Sequence, residues 1–355
     1  MLGPLGSIRI TGLRAGPDAV GSLGALELVM KFSGVRREDL RSGAAGAYGL
    51  LAVLVLVWGA NWSVVKVALP HIQPIWLAAL RLAIASTCLF PVVALTTRRL
   101  RLPSLADLPI VISIGWFQMA GFLMLINLGL EHVPAGRSAI LAYTTPLWTV
   151  PGAVLFLGER LTRGKILGFV LGLAGILLMF NPASFNWHDP AVVKGNATLL
   201  LAAFVWAATI LHVRWHKWQR PPIELAPWQL LAGLPPTALI AWATEGMPHV
   251  DWTPGFVVAL CYVGPLAGSF GFWAALSVQH RLPAITTSLS FLCVPAWGVV
   301  CSAFFLHEAL SLSDIGGLVL IALGLVAVTL ADRRGRIRNP ADSVEVVLPN
   351  PDRSG

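Results

Sequence analysis

The sequence predicts an all-α integral membrane protein, with ten transmembrane helices in two inverted five-helix repeats. Three observations carry this. The 355 residues are 56% hydrophobic and only 12% charged, with a mean hydropathy of +0.74, whereas a soluble domain carries about 25% charged residues. One stretch is written twice: moved forward by 149 positions, Pro134, Pro146, Trp148, Phe156, Glu159, Ile166, Gly168 and Gly175 fall on Pro283, Pro295, Trp297, Phe305, Glu308, Ile315, Gly317 and Gly324. Between the tails, apolar runs long enough to cross a bilayer, about 20 residues each, follow one another with short polar breaks.

Taken in order, residues 1–47 are glycine-rich and mixed in charge, and their apolar patch at 19–30 is interrupted by Glu27. They are expected to form a disordered cytoplasmic tail, in which Met30 is a second candidate start. Ten spans follow, at 48–69, 74–96, 107–130, 134–157, 164–181, 194–213, 226–245, 254–279, 283–306 and 312–331, and 332–355 form a C-terminal cytoplasmic tail. The first repeat covers 48–181 and the second 194–331. Five spans per repeat is an odd number, so the second enters the membrane from the opposite side, the arrangement of secondary transporters with a central site.

Lys and Arg set the expected orientation. With the N-terminus inside, the tails and cytoplasmic loops hold 21 of the 25, the outer segments hold Arg137 and Lys194, and Lys66 and Arg81 lie inside spans. Positive residues favour the cytoplasm, which places both termini there, in a bacterial inner membrane. The net charge of +8 is spread as single residues and short clusters between spans, so no nucleic-acid partner is expected. Cys88, Cys293 and Cys301 fall inside spans and Cys261 near the start of one, without CxxC spacing; neither a metal nor any other cofactor is expected. The run from Gly158 to Lys165 has the wrong glycine spacing for a phosphate loop and Ile166 where Ser or Thr is required.

The motifs at 58–62 (WGANW) and 77–81 (LAALR), the run from Ala139 through TTPLW to LGERLT at 157–162, and its second copy from Ser288 through VPAW to LHEALS at 306–311 resemble the drug/metabolite transporter superfamily. The match is to its ten-span type with two EamA domains, over roughly 48–331. The resemblance implies a carrier of amino acids, other metabolites or toxic compounds, working by alternating access between the two halves.

The residues refine that expectation. Trp58, Asn61, Trp62 and Val65 share one face of the first span, and an intramembrane Asn needs a partner from a neighbouring helix or a ligand. Lys66 lies one turn from its span's outer end, where snorkelling is the plain alternative. Arg81 lies about two turns inside the second span, and if it faces the cavity the ligand carries an anionic group. Tyr143, Thr144 and Trp148 in one half, Thr286, Ser290 and Trp297 in the other, with Gln118, Asn127, Trp206 and Trp273, complete the candidate pocket. None of the 17 Asp and Glu residues lies mid-span, so the carboxylate proton carrier of the four-span cationic drug exporters that the superfamily resembles is missing. His212 is the candidate for proton coupling, and exchange of one cargo for another is the alternative.

Structural roles are expected for Glu159 and Glu308, bonding backbone groups where one span ends and the next begins, and for Pro146 and Pro295, which interrupt their helices near mid-span. The glycines at 164, 168, 172 and 175, with Gly317 and Gly324, allow close helix approach, inside one chain or across a homodimer. No nucleophile, paired carboxylates or metal cluster suggests an enzyme. The sequence thus predicts a secondary transporter of small organic metabolites in the lipid bilayer, favouring export of amino acids or related zwitterionic or anionic compounds. Efflux of hydrophobic drugs is the alternative, and a non-transporting scaffold is a weaker one.

Overall fold

The computed structural model describes residues 37–98, 100–158, 163–180, 188–281, 291, 293–309 and 311–338. Its helices are α1 (Arg37–Ala68), α2 (Pro74–Thr97), α3 (Leu108–His132), α4 (Ala135–Leu157), α5 (Arg163–Phe180), α6 (Pro190–Trp215), α7 (Pro222–Glu245), α8 (254–281), α9 (Cys293–Phe305) and α10 (Leu312–Arg338). No strand occurs among the described residues. Helices α1, α2, α3, α4, α6 and α8 are long and apolar enough to cross a membrane, while α5, α9 and α10 carry shorter apolar stretches. Helix α7 is 24 residues long, but prolines and Gln229 dilute its apolar character.

Local chemistry explains the boundaries. The Asp189 side chain accepts from Ala191 N at 2.9 Å and Pro190 opens α6, a capped start four residues ahead of the expected 194. Helix α7 likewise begins at Pro222 rather than 226. Helix α1 begins at Arg37, inside the expected tail, and α10 runs on to Arg338, because good helix formers continue a helix beyond the apolar slab. Helix α4 breaks at Tyr143 and Thr144, just ahead of Pro146, which has no N–H to give and would crowd the carbonyl one turn back. Pro295 falls in the first turn of the described part of α9.

One feature had no signal in the spans. The middle of α3 (Ile114–Gly121) and of α8 (Tyr262–Phe270) is wound as π-helix, and the shift of 149 lays the first stretch on 263–270. Each crosses a helix of the other repeat at a glycine. A Cβ on Gly115 would stand 2.7 Å from the Gln229 carbonyl of α7, and one on Gly264 2.5 Å from Ile84 Cγ2 of α2. The widened turns free carbonyls, and Ala267 O accepts from Trp58 Nε1 at 3.0 Å.

The repeats are interleaved. Helix α2 packs on α7 and α8, α3 on α6 and α7, and α1 on α8 and α9. Helices α5 and α10 pair along their glycines: a Cβ on Gly175 would meet Gly317 O at 2.7 Å, and one on Gly324 would meet Gly168 O at 2.8 Å. Gly168, Gly175, Gly317 and Gly324 of the stripe are therefore packed within one chain, while a Cβ on Gly172 would meet nothing within 4 Å. Two of the apolar cores that result are large. One, toward the turns that follow odd-numbered helices (the odd face), includes Trp62, Val65, Leu77, Ile126 and Phe256. The other, toward the even face, includes Leu82, Leu89, Ile110, Met119 and Leu230.

Candidate substrate-binding site

Arg81 stands on α2 roughly 10 Å beyond its start at Pro74, at 1.5 Å per residue, and is 7% exposed. Its Nη2 reaches Asn61 Oδ1 of α1 at 3.4 Å and its Nη1 reaches Asn127 Oδ1 of α3 at 3.5 Å. Asn127, fully buried, gives its Nδ2 to Pro74 O at 2.9 Å, which turns its amide oxygen toward the guanidinium. Leu77 and Ile84, one turn to either side on α2, belong to the apolar core that also holds Trp62, Ile126 and Tyr143.

This cation is under-satisfied. Both contacts are at the long end of the hydrogen-bond range, and Nε has no partner. No carboxylate pairs with Arg81 among the described residues, and no Asp or Glu of the sequence lies mid-span to do so. A buried charge without a counter-charge costs several kcal/mol in a bilayer interior, and an anionic group on Arg81 would recover much of that cost.

Lys66, expected as a second cation of the pocket, is turned away from it. Its Nζ bonds the carbonyls of Leu130 and, at 3.2 Å, Val133 at the end of α3, where backbone oxygens lack helical partners. The adjoining amides of α4 are held by Glu308, which accepts from Ala135 N at 2.8 Å and Gly136 N at 3.1 Å. The turn between α3 and α4 is thus gripped by a cation on its carbonyl side and a carboxylate on its amide side. Glu245, at the end of α7, does the same for the start of α2, accepting from Ile75 N at 2.9 Å and Trp76 N at 3.1 Å. Gln73 bonds Met247 O and His249 N, Trp76 Nε1 bonds Gly246 O, and Ile72 bridges Val250. Together these contacts tie the first repeat to the second across the odd face.

On the even face, Asp107 joins two connections. It accepts from Gln219 N at 2.9 Å and Ser104 Oγ at 2.7 Å and lies 3.5 Å from His216 Nε2. Burial works to raise its pKa, but these bonds prevail and hold the carboxyl below its usual range.

The remaining pocket candidates separate. Tyr143 joins the core around Arg81, whereas Thr144 gives its hydroxyl to Leu141 O. Trp58 is fixed to α8. Trp206 and Trp273 belong to the even-side core, and Gln118 is half-buried in the π stretch of α3. His212 packs near His216 and Trp215 toward the end of α6. Trp148 is 41% exposed, edge-on to exposed Phe204. Trp297 borders an apolar groove of about 330 Å³ on the bundle surface between α1, α9 and α10, away from Arg81. Thr286, Ser290 and Glu159 lie outside the described residues. Sequence reasoning missed Gln229 of α7, 1% exposed with its Nε2 unpartnered, and the docking of Glu245.

The EamA-like transporter family matches residues 46–181 and 193–330. The chain belongs to this family. It is 30% identical over 290 residues to a probable amino-acid metabolite efflux pump of Salmonella typhimurium, covering 78% of this chain and 93% of that protein. It is 28% identical over 299 residues to a probable terminal-alkyne amino-acid exporter of Streptantibioticus cattleyicolor, covering 80% and 92%. It is 25% identical over 289 residues to the uncharacterized transporter YoaV of Bacillus subtilis, covering 81% and 98%. A crystal structure at 21% identity superposes with a TM-score of 0.60, covering 82% of this chain and 98% of that chain, a likeness of fold alone. The protein is therefore a multi-pass membrane transporter of the drug/metabolite transporter superfamily, and its cargo is a small molecule.

Proposed function

We propose that this transporter exports amino acids or related zwitterionic or anionic metabolites by alternating access, with Arg81 as the anchor for the cargo's carboxylate. One observation carries the reading: a cation buried at the junction of α1, α2 and α3 with, among the described residues, no acidic partner and an unpartnered Nε. The names of the two amino-acid exporters support the cargo class, and the Lys and Arg distribution supports an odd face turned outward with both termini in the cytoplasm. Transport would then require the odd-face ties of Glu308 and Glu245 to release as the two repeats rock about the site.

The test is thermal unfolding of the detergent-purified protein against a panel of amino acids, their derivatives and hydrophobic cations, since a ligand of the folded state raises its stability. Stabilisation by carboxylates that disappears in Arg81→Gln is expected. A panel in which only hydrophobic cations stabilise, equally in both proteins, would overturn the reading and favour drug efflux.

A further inference from the structure

The charge balance of the site narrows the cargo further, and this step rests on the proposed role of Arg81. A free amino acid brings two charges, and the site answers only one. Asn61 Oδ1 and Asn127 Oδ1, the side-chain acceptors beside the guanidinium, are already turned toward it. What remains open on this edge is donors: Arg81 Nε and the Nδ2 of Asn61, which makes no bond among the described residues. Lys66, a turn and a half along α1 from Asn61, is turned to the carbonyls at the end of α3, with Glu308 and Glu131 near its charge, and offers neither charge nor acceptor to this edge. No Asp or Glu lies mid-span in the sequence. A carboxylate therefore meets a cation and donors, while an α-ammonium beside Arg81 would give up its water to face a like charge with no carboxylate paired to it.

We infer that the preferred cargo is a monocarboxylate whose nitrogen is uncharged or absent, such as an N-acylated amino acid or a 2-oxo acid, rather than the free zwitterion. The donor-rich edge selects the carboxylate, and the lack of an anion selects against the ammonium. Specificity built in this way acts by penalising the competitor as much as by rewarding the cargo.

The inference is tested with three probes sharing one side chain: N-acetyl-L-leucine, L-leucine and L-leucinamide, with the same trio built on phenylalanine. Binding is read as thermal stabilisation of the full-length protein at pH 7, and transport as uptake of the radiolabelled probe into proteoliposomes. The expected order is N-acetyl-L-leucine at least about tenfold tighter than L-leucine, with L-leucinamide not bound. Arg81→Gln should remove the advantage of the N-acetyl probe, and Arg81→Lys, which keeps the charge, should retain part of it. Binding of L-leucine equal to or tighter than N-acetyl-L-leucine, lost in Arg81→Gln, would overturn this inference and leave the carboxylate anchor standing. If no carboxylate of either trio binds, or if Arg81→Gln binds both trios like the parent protein, the anchor itself falls, and the inference with it.

Discussion

In the first repeat, α1, α2 and α3 bring Asn61, Arg81 and Asn127 together; 149 residues on, the second repeat has Ile210, Leu230 and Leu276. Much around these positions is preserved. Both repeats wind the middle of their third helix as π-helix, cross the opposite repeat at Gly115 or Gly264, and end their fourth span at a Glu. Duplication thus kept the backbone device and dropped the charge from one copy, or added it to the other. The scaffold is two-fold and the site is not. A cargo charge is expected to be held by the first repeat, with the second supplying the apolar wall and the carboxylates that close the odd face.

Five substitutions test this contrast, from the largest effect down. Leu230→Arg gives the second repeat the charge of the first at a position only 3% exposed, where no amide pair awaits it. It should cost about 3–5 kcal/mol of stability, seen as loss of monodisperse protein and a lowered unfolding midpoint. Unchanged stability would mean that the second repeat too can host a cation.

Arg81→Leu makes the opposite exchange. Carboxylate transport in proteoliposomes should fall about 100-fold, equivalent to roughly 2.7 kcal/mol, while the unfolding midpoint holds or rises because an unpaired charge is gone. Retained transport would end the special role of the first repeat.

Gly115→Ala and Gly264→Ala compare the two crossings directly. At Gly115 the new methyl meets the backbone at Gln229 O, and at Gly264 it meets the Ile84 side chain. The first should cost about 2–3 kcal/mol and the second about half that, read as unfolding midpoints. The reverse order would place the more rigid crossing between α2 and α8.

Asp107→Asn has the smallest effect, about 1 kcal/mol at neutral pH, and its sign with pH is set. The folded carboxyl titrates below its usual value, so its contribution is complete above about pH 4. It disappears as the pH falls through the folded value. The gap between parent and variant midpoints should stay constant from pH 7 to about pH 5 and shrink only as the pH falls below about 4; a gap that already closes between pH 7 and pH 5 would show that the Asp107 charge is not what joins the two loops.

How much of this was legible in the sequence depends on the range of the interaction. The order and type of the helices follow from apolar length, and the break in α4 from Pro146, because both are local. The π stretches left no local trace, since their winding goes with close crossings at Gly115 and Gly264 by partners far along the chain. Lys66 could be placed in depth but not in direction, because the carbonyls it bonds at the end of α3 are supplied by folding. Glu245 read as a polar boundary for the same reason, its partners on α2 being 170 residues distant. Helical spacing showed that Trp58, Asn61 and Trp62 share a face, but spacing cannot say which aromatic meets a neighbour and which meets lipid. Trp148 and Trp297 therefore joined a pocket on paper from which the structure separates them. Arg81 was legible in depth alone, and its lack of an acid could be read only because the whole sequence has none mid-span.

The most direct test of the central claim is a cryo-EM or crystal structure of the protein with the most stabilising carboxylate of the panel bound. The account predicts a carboxylate oxygen within about 3 Å of the Arg81 guanidinium, between α1, α2 and α3, with the contacts to Asn61 and Asn127 rearranged to admit it. A ligand seated among the aromatics of α6, α7 and α8, with Arg81 still on Asn61 and Asn127, would contradict it.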